Sequence, residues 1–121
     1  MSINSMRQAA GFPPHDSLPM LERDLQKAVI DLARIFRWSV AHFRPAQTSK
    51  GWRTPVEADG KGWPDLLMTR DDRIVAVELK VGRNKLSPEQ EQWRERLMAA
   101  GVEYFVWHED DLRGQAVEVL R

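Results

Sequence analysis

The sequence predicts an α/β fold, and three observations carry the prediction. Apolar residues recur at helical spacing over residues 17–38, and two strand-like runs flank a central Asp71-Asp72 pair. A helix with its own start and stop residues then follows and leads into a further alternating run. The expected order is helix, strands, helix, strand, around one core.

Each element can be justified in turn. Residues 1–16 carry Gly11, Pro13 and Pro14 with no apolar period, which predicts a mobile tail ahead of a single domain spanning 17–121. Over residues 17–38, Leu21, Leu25, Ala28, Val29, Leu32, Ile35 and Phe36 form a stripe, and Pro19 sits near the first turn. This amphipathic helix needs a sheet to cover it. Glu22 falls on the flank of the stripe and Gln26 lies one turn later, so both can look along the edge of the core. A glutamate in that position is commonly just solvated. Residues 38–43, WSVAHF, alternate and predict a strand, with His42 and Arg44 on one face. A strand histidine is as a rule structural. Residues 44–62 hold two prolines, three glycines and no period, which predicts a long loop. Later, Ser87 as N-cap, Pro88 at the first helical position, Gln90 to close a capping box and Gly101 as the stop define a second helix. VEYFVWH then alternates as a strand, and residues 109–121 are weakly periodic and predict a short helix.

A composition of 42% hydrophobic and 30% charged residues over 121 positions suits one soluble globular domain. The absence of cysteine removes disulfides, thiolate zinc sites and thiol nucleophiles. No apolar run approaches the roughly 18 residues of a membrane helix, and the first residues lack the apolar stretch of a secretory signal. The expectation is an intracellular, cytoplasmic protein. A net charge of zero argues against a uniformly basic polyanion binder. Residues 32–56 nevertheless carry Arg34, Arg37, Arg44, Lys50 and Arg53 with no acid. That segment, which includes Trp52, either faces phosphates or is a solvated basic loop.

The central pair of runs, residues 65–70 and 73–80, poses the chemical question. A two-residue turn at Asp71-Asp72 pairs Arg70 with Arg73, Thr69 with Ile74 and, at the far end, Asp65 with Glu78. Facing residues have Cβ atoms roughly 4.5 to 5.5 Å apart, and Lys80 stays on the same face about 7 Å along. Leu66, Met68, Val75, Val77 and Leu79 line one face and Leu67, Ile74 and Ala76 the other, so both strands look buried. Like charges facing each other there are unfavourable. A raised carboxyl pKa, a salt bridge to Lys80, or a hard divalent cation such as Mg²⁺ would each offset the repulsion.

The segments ERDLQKAVIDLAR, GKGWPDLLM, AVELKVGRNKLSPEQEQW and AAGVEYFVW resemble the VRR-NUC family, within the PD-(D/E)XK nucleases, from about Glu22 to Trp107. The resemblance implies a restriction-endonuclease-like α-β-β-β-α-β core with a mixed central β-sheet flanked by helices. It also implies hydrolysis of DNA phosphodiesters with Mg²⁺ or Mn²⁺, often at branched structures. Asp65 and Glu78 would be catalytic metal ligands with the Leu79 backbone carbonyl, and Glu22 an outer or second-metal ligand. Lys80 would orient or deprotonate the attacking water and balance charge on the phosphate. Gln90 also looks like a family position, although capping explains it equally well.

The reading is a structure-selective, Holliday-junction-resolving endonuclease acting in replication, recombination or repair, in a bacterial or phage-infected cell. DNA contacts are expected from Arg44, Lys50, Arg53 and Lys61, with Gln26, His42 and Gln90 in support. No membrane and no small-molecule cofactor is expected. Two symmetric nicks require two sites, so a homodimer is expected, with Trp52, Trp63, Trp93 and Trp107 as interface candidates. The alternatives are a non-catalytic DNA-binding or assembly module of the same fold, and a non-specific or restriction-like nuclease.

Overall fold

The computed structural model describes residues 20–43, 46–48, 51–53 and 56–121, with 46–48 and 51–53 described by backbone alone. The expected tail over residues 1–16 lies outside them. Along the chain run helix α1 (Glu22–Ile35), strands β1 (Ser39–His42), β2 (Ala46–Thr48), β3 (Gly51–Arg53), β4 (Leu66–Arg70) and β5 (Arg73–Leu79), helix α2 (Pro88–Ala99) and strand β6 (Glu103–Trp107). A 3-10 turn (Glu109–Arg113) and helix α3 (Gln115–Leu120) follow.

The main sheet has the order β1-β4-β5-β6. β1, β4 and β5 are antiparallel neighbours, and β6 joins β5 in parallel, which the α2 crossover between them permits. The sheet is therefore mixed, with helices on both faces. At its centre the β4–β5 hairpin takes the register expected from its two-residue turn, from Arg70↔Arg73 to Leu66↔Val77. Asp71 supplies the left-handed turn residue at φ 54°, a conformation aspartate tolerates better than most side chains.

One face carries the core. Leu25, Val29 and Ala33 of α1 pack on Leu66, Met68, Val75, Val77 and Leu79, and Trp107, Leu112, Ala116 and Leu120 close the far side. Each large side chain buried here is worth about 1.5–3 kcal/mol, and Leu25→Ala would cost about 2–5 kcal/mol by opening a cavity. The other face is more thinly covered. Ala76 and Tyr104 are buried there, but α2 contributes no fully buried residue, and Ser39, Ala41 and Thr69 are exposed.

The structure corrects several expectations. The first helix stops at Ile35 instead of reaching 38, and residues 17–19 lie outside the described set. Arg37 at φ 68° takes the place usually given to glycine, and the N–H groups of Arg37 and Trp38 donate back to the Arg34 and Ala33 carbonyls. This is a Schellman stop. It turns Trp38 into the core, where its indole N–H donates to the Leu120 carbonyl at 2.9 Å. Arg70 Nη1 donates to the carbonyls of Phe36 at 2.9 Å and Leu120 at 2.8 Å, tying both helix ends to the sheet. Residues 44–62 are not wholly loop, because β2 and β3 pair as a short antiparallel hairpin. Residues 109–121 are broken at Gly114 into the 3-10 turn and α3. Trp107 is a core residue whose indole N–H donates to Gln115 Oε1 at 2.8 Å, so it is no interface candidate. Among the described residues no helix is long and apolar enough to cross a membrane.

Candidate active site

The hairpin register delivers the acids. β4 begins one residue after Asp65 and β5 ends one residue after Glu78, so the two carboxylates stand at adjacent strand ends. Each accepts from a backbone N–H of the facing strand. The Asp65 N–H donates to Glu78 Oε2 at 3.2 Å, and the Leu79 N–H donates to Asp65 Oδ2 at 2.9 Å. The N–H and C=O of one strand residue point to the same side, so the Leu79 carbonyl is aimed toward the edge where Asp65 sits.

Gln90 completes the frame from α2. Its Oε1 accepts from the Ser87 N–H at 2.8 Å, and its own N–H donates to Ser87 Oγ at 3.2 Å, which makes the expected capping box. The Nε2 of the same side chain donates to Glu78 Oε1 at 2.7 Å. The helix start and the acid are thus fixed by one amide. Lys80 Nζ lies 3.9 Å from Glu78 Oε1, a loose ion pair.

Electrostatics follow from burial. Glu78 is 3% exposed, and burial, with the charge of Asp65 added, pushes its carboxyl up to about 8 against the opposing pull of Lys80. Burial raises Asp65 to about 6, opposed by the Leu79 N–H and reinforced by the charge of Glu22. Tyr104, on the same face, is raised by burial and then by both carboxylates. Lys80 therefore does not cancel the repulsion. Two close oxygen donors with unfavourable like charge are suited to a divalent cation, which would neutralise both.

The remaining expected residues are placed unequally. Glu22 opens α1, exposed and within electrostatic reach of Asp65, yet among the described residues no three acidic or imidazole groups gather closely enough to hold a metal. Gln26 is half-buried one turn along. His42 pairs with Leu66, which puts it on the α1 face of the sheet, away from the face that carries Glu78 and Lys80. Lys61 is exposed and ion-pairs with Glu89 at 3.2 Å. The side chains of Arg44, Lys50, Trp52 and Arg53 lie outside the described residues.

Sequence reasoning missed an aromatic support beside the acids. Trp63, two residues before Asp65, contacts Trp93 of α2 edge-to-face at 5.0 Å and Phe43 at 5.8 Å. Gly62 makes this approach possible. A Cβ there would sit 2.5 Å from the Glu89 carbonyl carbon, and its φ is +88°. The signal was the Gly-Trp-Pro-Asp string, in which the glycine is required by contact with α2.

A mixed sheet covered by helices on both faces, with Asp65, Glu78 and Lys80 gathered at adjacent strand ends, defines a core of restriction-endonuclease type. The sequence model of the VRR-NUC domain matches residues 23–110, and the chain belongs to that family, a family of nucleases. No curated protein matches the chain.

Proposed function

We propose that this chain is a metal-dependent endonuclease that hydrolyses DNA phosphodiesters at branched structures, resolving junctions as a homodimer of one nuclease domain starting near residue 17. The observation that carries the reading is Glu78, a buried carboxylate set against a second carboxylate and held there by the Asp65 N–H and the Gln90 amide. A fold that needed only an ion-paired sheet edge would bring Lys80 closer than 3.9 Å and would leave the carboxyl pKa values near or below normal.

The donor set suits Mg²⁺ or Mn²⁺, which take hard oxygen ligands. Asp65, Glu78 and the Leu79 carbonyl would hold the ion, with Glu22 as an outer ligand. When bound, the ion supplies charge neutralisation at the phosphate and an activated water at neutral pH. Lys80 orients that water or takes its proton and balances charge on the phosphate. Gln90 keeps Glu78 in place through the helix cap. Arg44, Lys50 and Arg53 follow the phosphate backbone, and Lys61 exchanges Glu89 for a phosphate.

The test is incubation of purified protein with linear, flapped and four-way DNA in Mg²⁺, Mn²⁺ or EDTA, with Asp65→Asn as control. The expected result is metal-dependent nicking strongest on the four-way substrate. No nicking in either metal, or nicking equal in Asp65→Asn, overturns the reading.

A further inference from the structure

A second candidate site lies on α2, one helical turn past Gln90. Between the turn at residues 57–61 and the outer side of α2 is a cavity of about 540 Å³ lined by Asp59, Lys61, Glu89, Gln92, Trp93 and Arg96. Trp93 is its one aromatic wall, and two contacts fix that ring: its indole N–H donates to the Asp59 carbonyl at 3.0 Å, and Trp63 packs against it at 5.0 Å. The exposed Arg96 guanidinium lies over the ring, 5.6 Å from its centroid, so a base stacking on that face would take its place. Asp59, Glu89 and Gln92 offer hydrogen-bonding partners in the lining, and Lys61, ion-paired with Glu89 at 3.2 Å, and Arg96 supply cations.

We infer that this cavity receives a nucleobase from an unpaired strand, stacked on Trp93, with Lys61 and Arg96 meeting its flanking phosphates. A pre-fixed aromatic wall beside cationic side chains is the arrangement that binds single strands, because every base has a π-face and every linkage a charge. Carboxylate and amide groups fit the exocyclic amino edges of bases better than they fit a phosphate. The cavity is joined to the acids by covalent sequence: Glu89 lines it, and the adjacent Gln90 holds Glu78 at 2.7 Å. Trp63, packed on Trp93, is two residues from Asp65. The cavity and the acids therefore share α2 and the Trp63 segment as supports. This rests on the nuclease reading for its substrate, and it gives that reading a means of choosing branched or frayed DNA over intact duplex.

The experiment measures binding in EDTA, where cleavage plays no part. Fluorescence anisotropy compares a short mixed-base single strand with the same strand carrying abasic residues. One stacked base is worth about 1–3 kcal/mol, so the base-bearing strand is expected to bind roughly 5- to 160-fold more tightly. Trp93→Leu should bring its affinity down to the abasic level and leave the abasic strand unchanged, while Trp93→Phe should restore part of the preference. Equal affinity of the wild-type protein for both strands overturns the inference without need of any variant. Equal weakening of both strands by Trp93→Leu also overturns it, and so does a free mononucleotide that competes as well as the strand. Nicking in Mg²⁺ is read separately: base preference without nicking keeps this site and removes the nuclease reading, and nicking without base preference does the reverse.

Discussion

Replacing Asp65 with asparagine separates the cost of the acidic pair from its use. Asparagine keeps an oxygen to accept the Leu79 N–H at the position of Oδ2 and removes the charge facing Glu78. Ionising a carboxyl whose pKa stands near 6 in place of its ordinary 3.8 costs the fold about 3 kcal/mol at pH 8. A buried amide returns some of that gain, so Asp65→Asn should stabilise the metal-free protein by about 1–3 kcal/mol, or roughly 4–12 °C in Tm for a domain of this size. The sign can be checked through pH. Both carboxyls are raised on folding, so they cost nothing below their unfolded values, and stability is lost as pH rises toward about 6 for Asp65 and about 8 for Glu78. In EDTA, wild type should melt lower at pH 8 than at pH 5, and the variant should lose the share of that difference owed to Asp65 and its charge on Glu78 while keeping the share owed to the burial of Glu78. With Mg²⁺ at a hundred times its Kd the wild type should regain about 2.7 kcal/mol, a gain largely absent in the variant. Calorimetric melts of both proteins at both pH values, with and without Mg²⁺, measure all of this. A variant no more stable than wild type in EDTA at pH 8 would refute the argument that the two charges oppose the fold.

Gln90→Ala loses both halves of its link and should destabilise by about 1–3 kcal/mol; its cleavage should fall while Mg²⁺ still protects against melting, and unchanged cleavage would make Gln90 a cap alone. Lys80→Ala should lower the cleavage rate by about 10² to 10⁴ with Mg²⁺ affinity retained in a calorimetric titration; loss of affinity as severe as in Asp65→Asn would make Lys80 an organiser of the carboxylates. Neutralising Arg44, Lys50 and Arg53 together should flatten the salt dependence of DNA binding by about 0.9 per lost phosphate contact; an unchanged slope returns that segment to solvent. Light scattering should give a dimer at low micromolar protein, and mixtures of wild type with Asp65→Asn on a cruciform plasmid should yield mostly nicked product where wild type alone yields linear product; a monomeric mass would end the paired-nick reading.

The legible parts of the fold were those set by local rules. Asp71-Asp72 with alternating flanks fixed a register, and the register alone set Asp65 opposite Glu78. Ser87, Pro88 and Gln90 marked a helix start that the hydrogen bonds reproduce. What stayed hidden depended on contacts distant in sequence. Arg37 ends α1 without a glycine because Trp38 must reach Leu120, and no residue near 37 announces that. β2 and β3 are three residues each, too short for alternation to show. The second role of Gln90 needed α2 placed over Glu78, and the Trp93 cavity needed Gly62 against the α2 backbone. His42, offered only in support and read first as a structural strand residue, pairs with Leu66 and so lies on the other face.

The bonds from Trp38 and Arg70 to the Leu120 carbonyl also make the acid-bearing sheet depend on α3. Leu120 and Ala116 are fully buried, and the Trp38 indole donor finds its acceptor 82 residues later. Without α3 the α1 face of the sheet would lack its closing wall and Trp38 would keep a buried donor with no acceptor. The acids stand at the ends of the two central strands, yet the sheet that aligns them is closed by a helix that contributes no group to the site.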